Sequence, residues 1–121
     1  MNIGDILIQT YYYGGISNTF YMVVDKTPKS VRLSKLNGKV VTDDGYGYNG
    51  TGTEIPEIPE NKEEYATHIN KLCKGQKMPI GYDDFYITAR IGTDYDGKEC
   101  AKHKSNTYRL WNGKPVRFMC D

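Results

Sequence analysis

A chain of 121 residues, 38% hydrophobic and with a formal net charge of +1, is most simply one domain spanning 1–121, able to bury a core without disulfides or a structural metal. The near-neutral balance argues against a general phosphate-backbone binder, which carries a broad basic excess. No run approaches the roughly 18 to 20 apolar residues that cross a bilayer as a helix, so no membrane association is expected.

Gly4-Asp5 leads into a first strand, Ile6 to about Tyr12, ended by Tyr11-Tyr12-Tyr13-Gly14-Gly15. This flexible connection holds aromatic rings at a strand end, as readily over an open barrel end as against a ligand. Asn18 to Asp25 predicts a second strand, with Phe20, Met22 and Val24 on one face and Tyr21 and Val23 on the other; two apolar faces place it centrally. Ser30 to Leu36 follows with Val31 and Leu33 inward. Asn37-Gly38 is expected to turn it tightly into a strand over Lys39 to Thr42, making a three-stranded antiparallel meander.

Asp43 to Thr53 is glycine-rich. It lacks the Gly-Lys-Ser/Thr of a P-loop, the strand and helix around a dinucleotide fingerprint, and the alternate acidic ligands of an EF-hand, so it reads as a surface loop. Glu54 to Pro59 is extended, because each proline pushes its predecessor out of the helical region. Asn61 then caps a helix from about Lys62 to Lys74, with Glu64 completing the capping pattern, Tyr65, Ile69, Leu72 and Cys73 forming its apolar stripe, and Gly75 stopping it. Loop and helix together form an insertion at about 43–75, the helix covering one open side of the sheet.

Asp84 to Ile91 predicts a strand presenting Phe85, Ile87, Ala89 and Ile91 on one face and Tyr86, Thr88 and Arg90 on the other. Asp96-Gly97 marks a tight turn into Lys98 to Lys104. The chain then closes in a hairpin, Asn106 to Cys120, around Asn112-Gly113, a pair that tolerates the positive φ of a type I′ turn. Tyr108, Leu110, Val116 and Phe118 would share one face of that hairpin; Arg109, the only tryptophan, Trp111, and Arg117 would share the other. The expected fold is mainly β with one helix: a small antiparallel barrel or strongly bent sheet of six to seven strands, SH3-like or OB-like.

Chemistry was sought and is sparse. His68 and His103 are the only histidines, and no spacing sets either against a nucleophile. Cys100-Ala101-Lys102-His103 offers half the donors of a zinc site without a Cys-x-x-Cys partner. Asp43-Asp44 and Asp83-Asp84 sit where turns are expected. No enzyme, cofactor or metal site is therefore predicted. Three cysteines, with no apolar segment ahead of Gly4, point to a reducing cytosol. Binding remains: Tyr11, Tyr13, Tyr86 and Trp111 can stack on a base, and Arg90, Arg109 and Arg117 can hold phosphate or carboxylate bidentately.

Gly4-Asp5-Ile6, Phe20-Tyr21-Met22-Val23-Val24, Lys29-Ser30-Val31 and Leu110-Trp111-Asn112-Gly113-Lys114-Pro115, in this order, resemble a group of small uncharacterised proteins encoded by phages, prophages and plasmids of Gram-positive bacteria. Relatives usually carry Ser-Trp-Gly-Tyr and then Gln-Thr-Asn where this chain has Thr10-Tyr11-Tyr12-Tyr13 and Gly15-Ile16-Ser17, so only the aromatics correspond. The resemblance implies an anti-defence protein in the cytoplasm of a bacterial host. It would most readily act as a sponge sequestering a nucleotide-derived immune signal, a cyclic oligonucleotide or ADP-ribose derivative, in a site often shared within a homo-oligomer. A second possibility is a protein-binding inhibitor of a host defence effector, of the anti-CRISPR kind, using the acidic stretch of Asp43, Asp44 and Glu54 to Glu64. A third is an accessory protein for single-stranded nucleic acid.

Overall fold

The structure is a computed structural model that describes residues 1–43, 50–73 and 85–119, the side chain of Asp43 excepted. In chain order its elements are β1 (Ile6–Tyr12), β2 (Ile16–Lys26), β3 (Ser30–Leu36), β4 (Gly38–Asp43), β5 (Thr51–Pro56), α1 (Lys62–Cys73), β6 (Tyr86–Thr93), β7 (Glu99–His103), β8 (Asn106–Leu110) and β9 (Val116–Met119). Six strands close an antiparallel barrel in the order β1, β8, β7, β6, β3, β2, with β2 returning to β1. The other three, β9, β5 and β4, continue as an appended sheet from the start of β2, where Ile16 is in register with Met119.

The side-chain alternation of the strands builds two cores rather than one. Leu7, Tyr21, Val23, Val31, Leu33, Ile87, Ala89, Ala101 and Tyr108 form the first. Every barrel strand contributes to it, which makes it the barrel interior. Tyr21 and Tyr108 meet there edge to face, with centroids 5.1 Å apart. Fully buried side chains such as Leu7, Val23 and Leu33 each contribute about 1.5–3 kcal/mol relative to exposure.

The opposite faces of the same strands hold Ile6, Phe20, Met22, Val24 and Leu36, and α1 lays Ala66, Ile69 and Cys73 over them. The two apolar faces read from β2 thus serve two cores, and the helix covers the barrel's outer wall rather than an open side. The expected cap is present: Asn61 Oδ1 accepts from the Glu64 N–H at 3.0 Å. Ser34, fully buried, shares a 3.1 Å hydrogen bond with the Tyr65 hydroxyl, and the Asn70 amide donates to the Val24 carbonyl at 2.9 Å, so the helix is seated by polar as well as apolar contacts. Burial raises the Cys73 thiol pKa, keeping it neutral.

Several expectations are corrected. The barrel has six strands, as expected, but three more, β9, β5 and β4, extend it. Asn37-Gly38 does not fold β4 back onto β3: β3 has both edges engaged, by β2 and β6, and β4 pairs with β5 instead. Thr51 to Thr53, read as loop, belong to β5; residues 44–49 of the glycine-rich segment and the pair Asp83-Asp84 lie outside the described residues. Leu72 is exposed, not part of the buried helix stripe, and Phe85 packs on the outer core while Ile87, Ala89 and Ile91 serve the interior.

The largest correction concerns the closing hairpin. β8 pairs with β7 and β1, and β9 pairs with β5 and β2, so the two arms do not pair with each other and lie in different parts of one continuous sheet. A turn does form at Asn112-Gly113, but not the expected type I′: only Gly113 of the pair has positive φ, +82°, and side chains hold the bend, Asn112 Oδ1 accepting from the Lys114 N–H at 2.9 Å and Trp111 Nε1 donating to the Lys114 carbonyl at 2.8 Å. The Trp111 N–H, which a hairpin would bond to the Lys114 carbonyl, is instead taken by the Ile6 carbonyl at 2.9 Å. The turn therefore hands the chain from the barrel to the appended sheet.

Candidate binding cleft

This crossover redistributes the predicted site. Trp111 leaves the face of Arg109 and Arg117 and packs edge-on against Phe20, at a centroid distance of 6.4 Å, on the rim of the outer core. Its indole is occupied by packing and by Lys114. Tyr86 is similarly engaged: its hydroxyl donates to Asn70 Oδ1 at 2.9 Å and accepts from Arg32 at 3.1 Å, with the guanidinium 5.7 Å above the ring. That hydrogen bond is the main cause holding the Arg32 pKa above its ordinary value. Arg90 is exposed on β6, opposite Ser30 and Lys102, and Arg117 is exposed on β9, opposite Thr53.

Arg109 has a fixed setting that the sequence reading missed. Its Nε lies 3.3 Å from Asp94 Oδ2, and its guanidinium sits 5.0 Å above the centre of the exposed Tyr95 ring. Burial alone would raise the Asp94 pKa, but the N–H groups of Lys98 and Asp96, both bound to Oδ1, act with Arg109 to hold it below the usual carboxylate value. Asp94 organises the β6–β7 turn; an Asp two residues before Asp96-Gly97 was the available sequence signal.

Tyr11 and Tyr13 do come together. Their rings are 6.3 Å apart, and Tyr11, Tyr12 and Tyr13 are 57%, 74% and 84% exposed, a run of aromatic surface that burial does not explain. The two rings overlook a cleft of about 340 Å³ between the β1–β2 end of the barrel and the appended sheet, with Phe118, Met119 and Ile16 as apolar lining and Glu54 as its charged group. Register accounts for this: Gly52 is opposite Phe118 and Glu54 opposite Val116, so Glu54 and Phe118 share a face of the appended sheet, and Arg117 takes the other.

Asn18 joins the two walls. Its Oδ1 accepts from Thr10 Oγ1 at 2.8 Å, and its amide donates to Glu54 Oε1 at 3.1 Å and to the Arg117 carbonyl at 2.9 Å. Glu54 Oε2 lies over Gly38, where a Cβ would stand 2.8 Å from it. Among the described residues no cation pairs with this half-buried carboxylate. Neither Asn18 nor Glu54 carried a motif; only their meeting in space singles them out.

On the other side of Tyr11, β1 and β8 are in register only at Leu7 with Leu110 and Ile8 with Arg109, while β1 stays paired with β2 as far as Tyr12. The diverging strands leave a groove of about 370 Å³ that includes Tyr11, Arg109, Gln9 and Asn106. Tyr11 is thus common to both depressions, and Arg109 is the one predicted arginine beside it. His103 Nδ1 lies 3.0 Å from the Thr88 carbonyl, and Cys100 is fully buried. Among the described residues no three potential ligands are grouped to hold a metal.

No protein family, curated protein or solved structure matches the chain. Among the described residues no helix is long and apolar enough to cross a membrane.

Proposed function

We propose that this chain is a non-enzymatic binding protein of a phage or other mobile element, acting as an inhibitor that covers the surface of a host defence protein. The observation that carries this reading is the exposure of Tyr11 and Tyr13 over an open, partly apolar cleft. Tyrosine presents a large rigid area with one polar end, and it is enriched among the few residues that dominate protein–protein binding energy. The exposed acidic side chains of Glu57, Glu60, Glu63 and Glu64 extend the surface around β5 and α1.

Capture of a nucleotide-derived signal is the second reading, favoured specifically by the groove that Tyr11 and Arg109 both line. Tyr86, Trp111, Arg90 and Arg117 add little to it, being engaged elsewhere or placed on other faces. One experiment separates the two readings. The tagged protein and its Tyr11→Ala/Tyr13→Ala variant are expressed in a defence-carrying host and analysed by native mass spectrometry. A stoichiometric host protein, held by the parent and lost by the variant, is the expected result; a retained adduct of nucleotide mass would select the second reading.

A further inference from the structure

We infer that the tyrosine cleft receives a basic side chain, a lysine ammonium or arginine guanidinium, from a basic segment of the protein partner. This rests on the protein-binding reading above and specifies its chemistry. It also reverses the expectation that this end of the molecule holds an anion.

The charge of the cleft decides its sign. Among the described residues of its lining, Glu54 is the one carboxylate and none is a lysine or arginine. Its Oε1 is anchored by Asn18, while Oε2 meets no cation among the described residues. Register sends the nearest arginine, Arg117, to the opposite face of the appended sheet. A half-buried carboxylate bonded through one oxygen and facing no cation keeps unused acceptor capacity, and an incoming cation would meet it with a charge-assisted hydrogen bond.

The aromatic lining fits the same guest. Tyr11 and Tyr13 stand at the rim with their planes inclined by 34°, so both ring faces can contribute to holding a cation. Stacked faces attract a partly desolvated guanidinium or ammonium, and Phe118 and Met119 offer apolar surface to its methylene stem. An acidic or phosphate group would meet Glu54 with like charge. A protein segment is favoured over a free amine because the cleft is open and partly apolar and further exposed glutamates lie beyond β5, at Glu57, Glu60, Glu63 and Glu64.

The test titrates the ¹⁵N-labelled protein with Ac-Gly-Arg-Gly-NH₂, Ac-Gly-Lys-Gly-NH₂, Ac-Gly-Glu-Gly-NH₂ and AMP, following the amides of Tyr13, Ser17 and Glu54. The expected result is saturable shifts with the two cationic peptides only, with Kd raised about tenfold in Glu54→Gln, as loss of one charge-assisted hydrogen bond implies. Glu54→Gln keeps the acceptor for Asn18, so its fold is retained. Equal binding of the arginine peptide by parent and variant, or preference for the glutamate peptide, overturns the cation assignment and leaves the tyrosine surface standing. Shifts with AMP alone overturn both, and no shift with any probe overturns the cation assignment while the co-purification experiment decides the protein-binding reading separately.

Discussion

The Asn18 amide of β2 and the Glu54 carboxylate of β5 lie 3.1 Å apart, and through them the barrel is fastened to the appended sheet. Asn18 also bonds Thr10 and the Arg117 carbonyl, so one side chain links its own strand β2 to three others, β1, β5 and β9. Asn18→Ala removes all of these contacts and is expected to lower stability by about 1–3 kcal/mol. Glu54→Gln keeps the acceptor and should stay within about 0.5 kcal/mol of the parent. Urea unfolding of the pair checks this; an Asn18→Ala midpoint equal to the parent's would mean that the appended sheet is held elsewhere.

Trp111 is expected to act on stability rather than directly on a ligand. Trp111→Ala opens space beside Phe20 and should cost about 2–3 kcal/mol, less than for a fully buried tryptophan because the indole is partly exposed. Trp111→Phe keeps a ring there but loses the bond to Lys114, for roughly half that cost. Thermal unfolding monitored by circular dichroism gives both values.

Asp94 makes stability depend on acid. Its pKa is lower folded than unfolded, so protonation favours the unfolded chain: the contribution is complete above an unfolded pKa of about 4 and disappears as pH falls through the lower folded value. Asp94→Asn, which keeps an acceptor for Asp96 and Lys98 but no charge for Arg109, should flatten this acid limb below about pH 4. Tm measured against pH in both proteins would expose an unchanged slope, contrary to this account.

Lys104 occupies the left-handed region, with φ 55°, in the tight turn where His103 faces Asn106. A non-glycine residue pays about 1–2 kcal/mol for that conformation, partly recovered by glycine against its larger unfolded-state freedom. Lys104→Gly should therefore raise stability by about 0.5–1 kcal/mol. A lowered Tm would show that the lysine side chain contributes more than its backbone strain costs.

Tyr13→Ala addresses the cleft without touching the core. With the ring 84% exposed, stability should change by less than about 0.5 kcal/mol while partner binding is lost. Unaltered binding would shift attention to the groove beside Arg109.

Most elements were legible because their signals are local. The alternation of Phe20 to Val24, the cap at Asn61 and the strand β3 all specify conformation through near neighbours, and these segments have the expected character. Partnership was less legible. Asn37-Gly38 and Asn112-Gly113 permit a reversal, but whether the strands pair depends on which edges are already occupied, and those edges belong to distant segments. The same limit applied to the site: Tyr11 and Tyr13 share a face because they are two residues apart, whereas the approach of Glu54 and Asn18 follows from the order of β9 and β5.

Closure of the barrel joins Leu7 to Leu110, nearly opposite ends of the chain, through a two-residue register between β1 and β8. In kinetic terms this seam carries the largest loop-closure entropy of the barrel and should form after β1, β2 and β3, whose pairings are local. The ribosome must therefore release almost the whole chain before the barrel can close, and until then the β8-facing edge of β1 remains accessible to chaperones.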